Sequence, residues 1–128
     1  MNMIYQVKTE KSFDDAVLSL KEACASVGFG TLWQLNFKDK LHEKGLPFDD
    51  NFMILEVCHP GKAQQVLLEY REAGFFLPCK VAVYEKSGEV FMGMPKPTEL
   101  MSMLGSDALK AVATEVEEAL VLAIQKAV

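Results

Sequence analysis

Apolar residues follow two different periods along the chain, and the changes between them mark the predicted elements. Five short segments alternate apolar and polar residues or are apolar throughout, which is typical of β-strands. Elsewhere apolar residues recur three and four positions apart, which is typical of amphipathic helices. We predict strands at 3–8, 29–36, 52–58, within 75–85 and at 90–94, and helices at 13–27, 37–44, 60–74, 98–104 and 107–127.

The third predicted strand, 52–58, is apolar on more than one face. Met53, Leu55 and Val57 form one wholly apolar side, and Phe52 and Ile54 make part of the other side apolar as well. A strand that is buried on both faces reads as a nearly continuous apolar run. We therefore predict that this strand is central in the sheet and covered on both faces.

The order of the elements predicts the fold class. The first six major elements follow the βαββαβ order of ferredoxin-like folds. We expect one α+β domain over residues 1–128, with a two-layer architecture and helices on one face of a mostly antiparallel five-stranded sheet. The hairpin strand and the C-terminal helices extend this core. In this order the third and fourth strands run parallel to each other.

Four segments also resemble a known family. They are GFGTLWQLNFKDKLHEKG, FMILEVCHPGKA, LPCKVAVYEKSGEVFMGMPKP and the VEEAL part of the last helix, and the most specific parts are Cys58 with Pro60 and Leu77-Pro78-Cys79. The chain resembles the domain-of-unknown-function 302 family of small bacterial and archaeal domains. The resemblance implies a ferredoxin-like or, alternatively, TATA-binding-protein-like domain, often a homodimer, with no established reaction. Many members carry Asn at the position of His59, so no family-wide role is implied there.

Composition excludes several classes of function. The 128 residues carry a net charge of -5 with scattered Lys and Arg, whereas nucleic-acid binders cluster basic residues on one surface. The longest apolar run, Ala119 to Ile124, is far shorter than a membrane span. No signal-peptide pattern opens the chain, and three cysteines fit a reducing compartment better than a disulfide framework. We expect a cytoplasmic protein with no nucleic-acid or membrane partner.

Cys58, His59 and Cys79 are the residues with metal-ligand chemistry. Thiolate and imidazole suit Zn²⁺ or Cu⁺, but the segment lacks the CxxC or HxxxH spacing of such sites. If the strands that carry Cys58 and Cys79 run parallel, the two thiols lie near opposite ends of the sheet, about 10–20 Å apart. We therefore predict no metal, no cofactor and no disulfide at this place.

Cys58 is also a candidate reactive thiol. It lies just before a helix that starts at Pro60, and both a helix N-terminus and the nearby Lys62 stabilise a thiolate. His59 points to the other face of the strand, so it is poorly placed as a base. The alternative, a packed structural cysteine at a strand end, is the interpretation that we favour.

Aromatic and methionine side chains supply a large adaptable apolar surface. We predict that seven of them form a pocket or an interface: Trp33, Phe75, Phe76, Phe91, Met92, Met94 and Met101. The pocket would hold a small apolar ligand on an open sheet face, with the segment 95–104 as a lid. The interface would join two copies of the chain and cover Phe75, Phe76, Val121 and Leu122.

These observations predict a homodimeric binding or accessory module. No sequence motif of a known enzyme class is present, so we assign no catalytic residue. The alternative is a thiol-dependent redox or soft-metal-handling protein that uses Cys58.

Overall fold

The computed structural model describes residues 2–128. The strands are β1 (Ile4–Thr9), β2 (Gly30–Asn36), β3 (Phe52–Cys58), β4 (Cys79–Lys86) and β5 (Glu89–Pro95). The helices are α1 (Phe13–Ser26), α2 (Phe37–Glu43), α3 (Pro60–Glu69), α4 (Pro97–Ser102) and α5 (Asp107–Ala127), with a 3₁₀ helix at Arg71–Phe76. None of the helices in these residues is both long enough and apolar enough to cross a membrane.

Serine side chains cap the two long helices. The Ser12 hydroxyl accepts a hydrogen bond from the Asp15 backbone N–H at 3.2 Å, and Ser106 accepts from the Leu109 N–H in the same way. The prediction of one helix over 60–74 is wrong. Tyr70 has an extended backbone (φ -158°, ψ 109°), so α3 ends at Glu69 and a separate 3₁₀ helix follows.

The α+β class and the five-stranded sheet are confirmed. The strand order is β1-β5-β4-β3-β2, and every neighbouring pair is antiparallel. The prediction that the third and fourth strands run parallel, as a ferredoxin-like order requires, is wrong. The segment between β3 and β4 packs mainly on α5 and on itself, so it does not cross the sheet, and the chain re-enters at the end where β3 finished.

The main core lies between one face of the sheet and the two long helices α1 and α5. Inward-facing side chains of β3, β4 and β5 pack against the apolar stripes of these helices. The fully buried residues of this core include Leu20, Cys24, Leu55, Val57, Val81, Val83, Met92, Leu120 and Ile124. A second, smaller cluster joins α3, the 3₁₀ helix, α4 and the start of α5. Both clusters lie on the same side of the sheet, so the other face stays open apart from α2 at its edge.

Candidate functional site

Cys58 and Cys79 are neighbours, which corrects the prediction that they lie far apart. In the antiparallel pairing of β3 and β4, Val57 lies opposite Cys79, so Cys58 is one residue away from that pair. Both cysteines line a narrow apolar cavity of about 30 Å³ together with Phe29 and His59. We predicted that β3 and β4 run parallel, and their antiparallel pairing is what brings the two cysteines together.

Burial keeps two of the three thiols protonated. It raises the pKa of Cys79 to about 11, and the neighbouring Cys58 adds to the increase. Burial also raises the pKa of Cys24 in α1 to about 11, and Cys79 contributes there. Thiols with these pKa values are poor nucleophiles at neutral pH, because the thiolate is the reactive form. Among residues 2–128, no three His, Cys, Asp or Glu side chains are arranged to hold a metal ion.

His59 and Lys62, which sequence reasoning placed beside Cys58, have other contacts. His59 is the N-cap of α3, and its Nδ1 accepts a hydrogen bond from the Lys62 backbone N–H at 3.2 Å. Its ring packs edge-on against Phe29, with centroids 5.4 Å apart. A Cβ at Gly28 would lie 2.6 Å from the His59 ring, so Gly28 leaves room for the imidazole. The Lys62 ammonium pairs with Glu115 of α5.

A row of aromatic rings crosses the open face of the sheet. Phe52 of β3 and Tyr84 of β4 are cross-strand neighbours whose rings stack at 5.2 Å, and Tyr84 stacks on Phe91 of β5 at 5.3 Å. Phe37 of α2 extends the row by an edge contact with Phe52 at 6.1 Å. Such pairs stabilise the sheet, since aromatic cross-strand pairs contribute roughly 0.2–1 kcal/mol each. They also leave ring surface facing outward.

Small residues lie beside this row and deepen it into a groove. Gly93 and Ala82 are paired at the centre of the sheet. Gln6 of β1 is paired with Gly93 of β5. A Cβ added at Gly93 would come within 2.6 Å of the Gln6 Cβ. The Tyr84 hydroxyl donates a hydrogen bond of 2.7 Å to Gln6 Oε1, which joins β1 to β4 across β5. The resulting groove, which we call the sheet groove, has a volume of about 630 Å³.

The sheet groove has a mostly apolar lining and two charged residues. Its lining residues are Ile4, Gln6, Phe37, Phe52, Ile54, Lys80, Ala82, Tyr84, Lys86, Gly93, Met94 and Pro95. Lys80 and Lys86 lie at opposite ends of the part of β4 that runs along the groove. The arrangement offers a flat apolar surface with cationic ends and has no pair of groups suited to acid–base or nucleophilic chemistry.

Comparison with known proteins identifies the family. The family model described as "Domain of unknown function DUF302" matches residues 5–127. The chain belongs to the DUF302 family. A crystal structure of an uncharacterized conserved DUF302 protein from Bacillus stearothermophilus is 39% identical over 100% of both chains, with a TM-score of 0.97. No curated protein matches.

The seven aromatic and methionine residues predicted as a pocket or interface are dispersed over the DUF302 domain. Met92 and Met94 lie in the main core, and Met101 and Phe76 belong to the second cluster. Phe91 is on the open sheet face, Trp33 is half exposed on the edge strand β2, and Phe75 is 88% exposed. The predicted lid packs against α5 instead of covering the open face, because Thr98 donates two hydrogen bonds to Glu117.

Sequence reasoning missed most of the residues that line the sheet groove of this DUF302 domain. The signal was available in β4, where Lys80, Ala82, Tyr84 and Lys86 alternate with the inward-facing side chains. Alternation shows which residues share a face, but not that the face lacks a covering layer.

Proposed function

We propose that this DUF302 domain is a binding module whose ligand site is the sheet groove. The observation that supports the proposal is an apolar, ring-lined sheet face without a covering layer from its own chain. Antiparallel sheets that face water ordinarily carry polar residues on that side. The volume of about 630 Å³ is within the range of small-molecule sites, which are mostly apolar with few polar groups.

Binding of the neutral dye Nile red tests the proposal. We expect its fluorescence to increase in the presence of the protein, with amide shifts in NMR spectra confined to the elements that line the groove, which are β1, β3, β4, β5 and α2. Ala82→Trp fills the centre of the groove and should abolish the signal. Ala111→Trp, at an exposed position of α5, is the matched control and should leave it unchanged. Dye binding that survives Ala82→Trp would refute the assignment of the groove.

We further propose that the module is a homodimer that forms through the surface around the 3₁₀ helix. Phe75 is 88% exposed and Leu68 of α3 is 68% exposed, and a second copy of the chain would remove this apolar surface from water. Val121 and Phe76, which sequence reasoning also placed at an interface, pack on the two core clusters. Phe75 is therefore the best-supported anchor of the contact.

Sedimentation velocity of two variants tests the dimer. Phe75→Ser should convert the dimer to a monomer, because interfaces depend on a few large apolar anchors. Leu18→Ser changes a half-exposed leucine of α1, outside the predicted interface, and should leave the dimer intact. A monomeric parent protein, or dissociation by Leu18→Ser alone, would contradict the proposed contact.

A thiol-dependent function through Cys58 is the second candidate, and its position beside Cys79 in the shared cavity is the observation that favours it. Three free cysteines also fit a reducing, cytoplasmic setting. The ion pair of Lys62 with Glu115 favours a structural role for Cys58 instead, because the Lys62 ammonium already has an anionic partner other than a Cys58 thiolate. Labelling of Cys58 by a thiol reagent at neutral pH, slowed by Lys62→Ala, would support the second candidate over the first.

A further inference from the structure

The charged residues that line the sheet groove are both cationic. Lys80 and Lys86 are exposed, and among residues 2–128 neither makes an ion pair. The chain as a whole has a net charge of -5, so the groove has the opposite sign to the rest of the molecule. This local contrast favours an anion at a site that is otherwise apolar.

The uncharged polar groups of the groove are also biased toward donors. The Tyr84 hydroxyl donates to Gln6 Oε1, which uses one of the two lone pairs of that oxygen. The two amide hydrogens of Gln6 then remain for another partner. Together with the ammonium groups of Lys80 and Lys86, they form a donor-rich border around an apolar floor.

Two acidic side chains lie close to the groove, and neither lines it. Glu89, opposite Lys86, pairs with Lys8 at 3.5 Å. Glu56, opposite Lys80 in the β3–β4 pairing, lines an adjacent cleft of about 330 Å³. Lys8 also lies 3.7 Å from Glu10, so it offsets the charge of Glu89 only in part, whereas Glu56 makes no ion pair among residues 2–128. The Lys86 end is therefore the more favourable place for a bound negative charge.

We propose that the sheet groove binds an elongated apolar carboxylate, with the carboxylate at the Lys86 end and the apolar body over Ile54, Ala82 and the ring of Tyr84. Lys86 lies six positions after Lys80 along β4, which gives a length of about 20 Å. This identification rests on the proposed binding function and adds the chemical class of the ligand. A second copy packed face to face is less suitable, since it would bring the groove lysines of the two copies together.

Decanoate and decanol are suitable probes, because they share an apolar chain and differ in the charge of the head group. Dissociation constants of both are measured by titration of NMR amide shifts. For Lys86→Gln combined with Lys80→Gln, we expect decanoate binding to weaken about threefold relative to decanol, since the one exposed ion pair with Lys86 contributes about that much and Lys80 lies too far away to add a second. The decanoate preference should also decrease as salt is added.

Lys110→Gln combined with Lys126→Gln is the matched control, because it removes the same charge from exposed positions of α5. It should leave both affinities unchanged. Two results would overturn the carboxylate assignment: equal effects of the two double variants, or an unchanged ratio of decanoate to decanol affinity in the variant without Lys80 and Lys86. If decanol still bound in the groove, the proposed binding function would stand. Failure of both probes to bind would refute the binding function itself.

Discussion

Gly93 of β5 is the position where a single methyl group should perturb the fold most directly. Its φ is not in the left-handed region, so the requirement for glycine comes from space and not from backbone conformation. A Cβ at this position would lie 2.6 Å from the Gln6 Cβ and 2.8 Å from the Gln6 Cα, and closer still to the Tyr5 carbonyl oxygen. Gly93→Ala should therefore force β1 away from β5.

The geometry sets the magnitude of the effect. Overpacking in a well-packed region ordinarily destabilises by about 1–3 kcal/mol. Here the obstructing atoms belong to the backbone and Cβ of β1, which cannot rotate away, so we expect a loss of about 3 kcal/mol. For a domain of this size that corresponds to a decrease of about 10 °C in Tm. The displacement should also break the hydrogen bond between Tyr84 and Gln6.

Urea unfolding followed by far-UV circular dichroism measures this loss, and hydrogen exchange of the β1 amides locates it. Gly30→Ala is the matched control, because a Cβ at Gly30 has no heavy atom within 4 Å. It should change the free energy of unfolding by less than about 0.5 kcal/mol. If Gly93→Ala is as stable as Gly30→Ala, the close approach of β1 to β5 that underlies the groove is incorrect.

Three further predictions concern the caps and the buried thiols. His59→Ala should destabilise by about 1 kcal/mol through loss of the α3 cap, whereas His59→Asn retains an acceptor for the Lys62 N–H and should lose less. Glu117→Ala should destabilise by about 1–2 kcal/mol, because it removes the acceptor of two hydrogen bonds from Thr98, and the loss should appear as faster hydrogen exchange in α4. The raised pKa values of Cys24 and Cys79, about 11 each, mean that the folded state holds thiol protons that the unfolded state releases, so stability should fall as pH rises from about 9 to 11.

Urea unfolding measures each of these changes, and the contrary results are specific. Equal losses for His59→Ala and His59→Asn would show that ring packing on Phe29, and not the cap, is what the imidazole contributes. Unchanged exchange in α4 after Glu117→Ala would show that the helix is held by its apolar contacts. A Cys24→Ala, Cys79→Ala variant should show a weaker decline above pH 9, and an identical decline would assign it to other groups.

Local signals in the sequence predicted most of the elements, because each signal acts within a few residues. Ser12 and Ser106 start helices through hydrogen bonds to backbone N–H groups three positions later. Tyr70 is the exception. Nothing in its immediate neighbourhood forbids a helix, and the break lets Ala73 and Phe76 join the second core cluster. Tertiary packing therefore decided the end of α3.

The mutual placement of Cys58 and Cys79 could not be derived in the same way. It depends on whether the segment between β3 and β4 crosses the sheet or returns at the same end. A helix followed by a strand is compatible with both paths, and only the antiparallel pairing of β3 with β4 distinguishes them. The number of residues between Cys58 and Cys79 is the same for a crossing and for a returning segment. The distance predicted between the two thiols therefore depended entirely on the assumed strand direction.

The pattern of β3 provides the strongest argument for a partner on the open face. Its apolar residues on both sides predict cover on both faces, and the chain supplies a full layer only on the side of Leu55 and Val57. On the other side Phe52 and Ile54 are only partly buried and line the sheet groove. Exposed apolar area of this kind lowers solubility without adding to the core. A bound molecule that excludes water from these side chains would resolve the mismatch, since each Å² of apolar surface removed from water contributes about 25 cal/mol. Binding should therefore raise Tm, with the increase growing as the logarithm of the ligand concentration once that concentration exceeds the dissociation constant, and a Tm that no ligand of the groove raises would refute this interpretation.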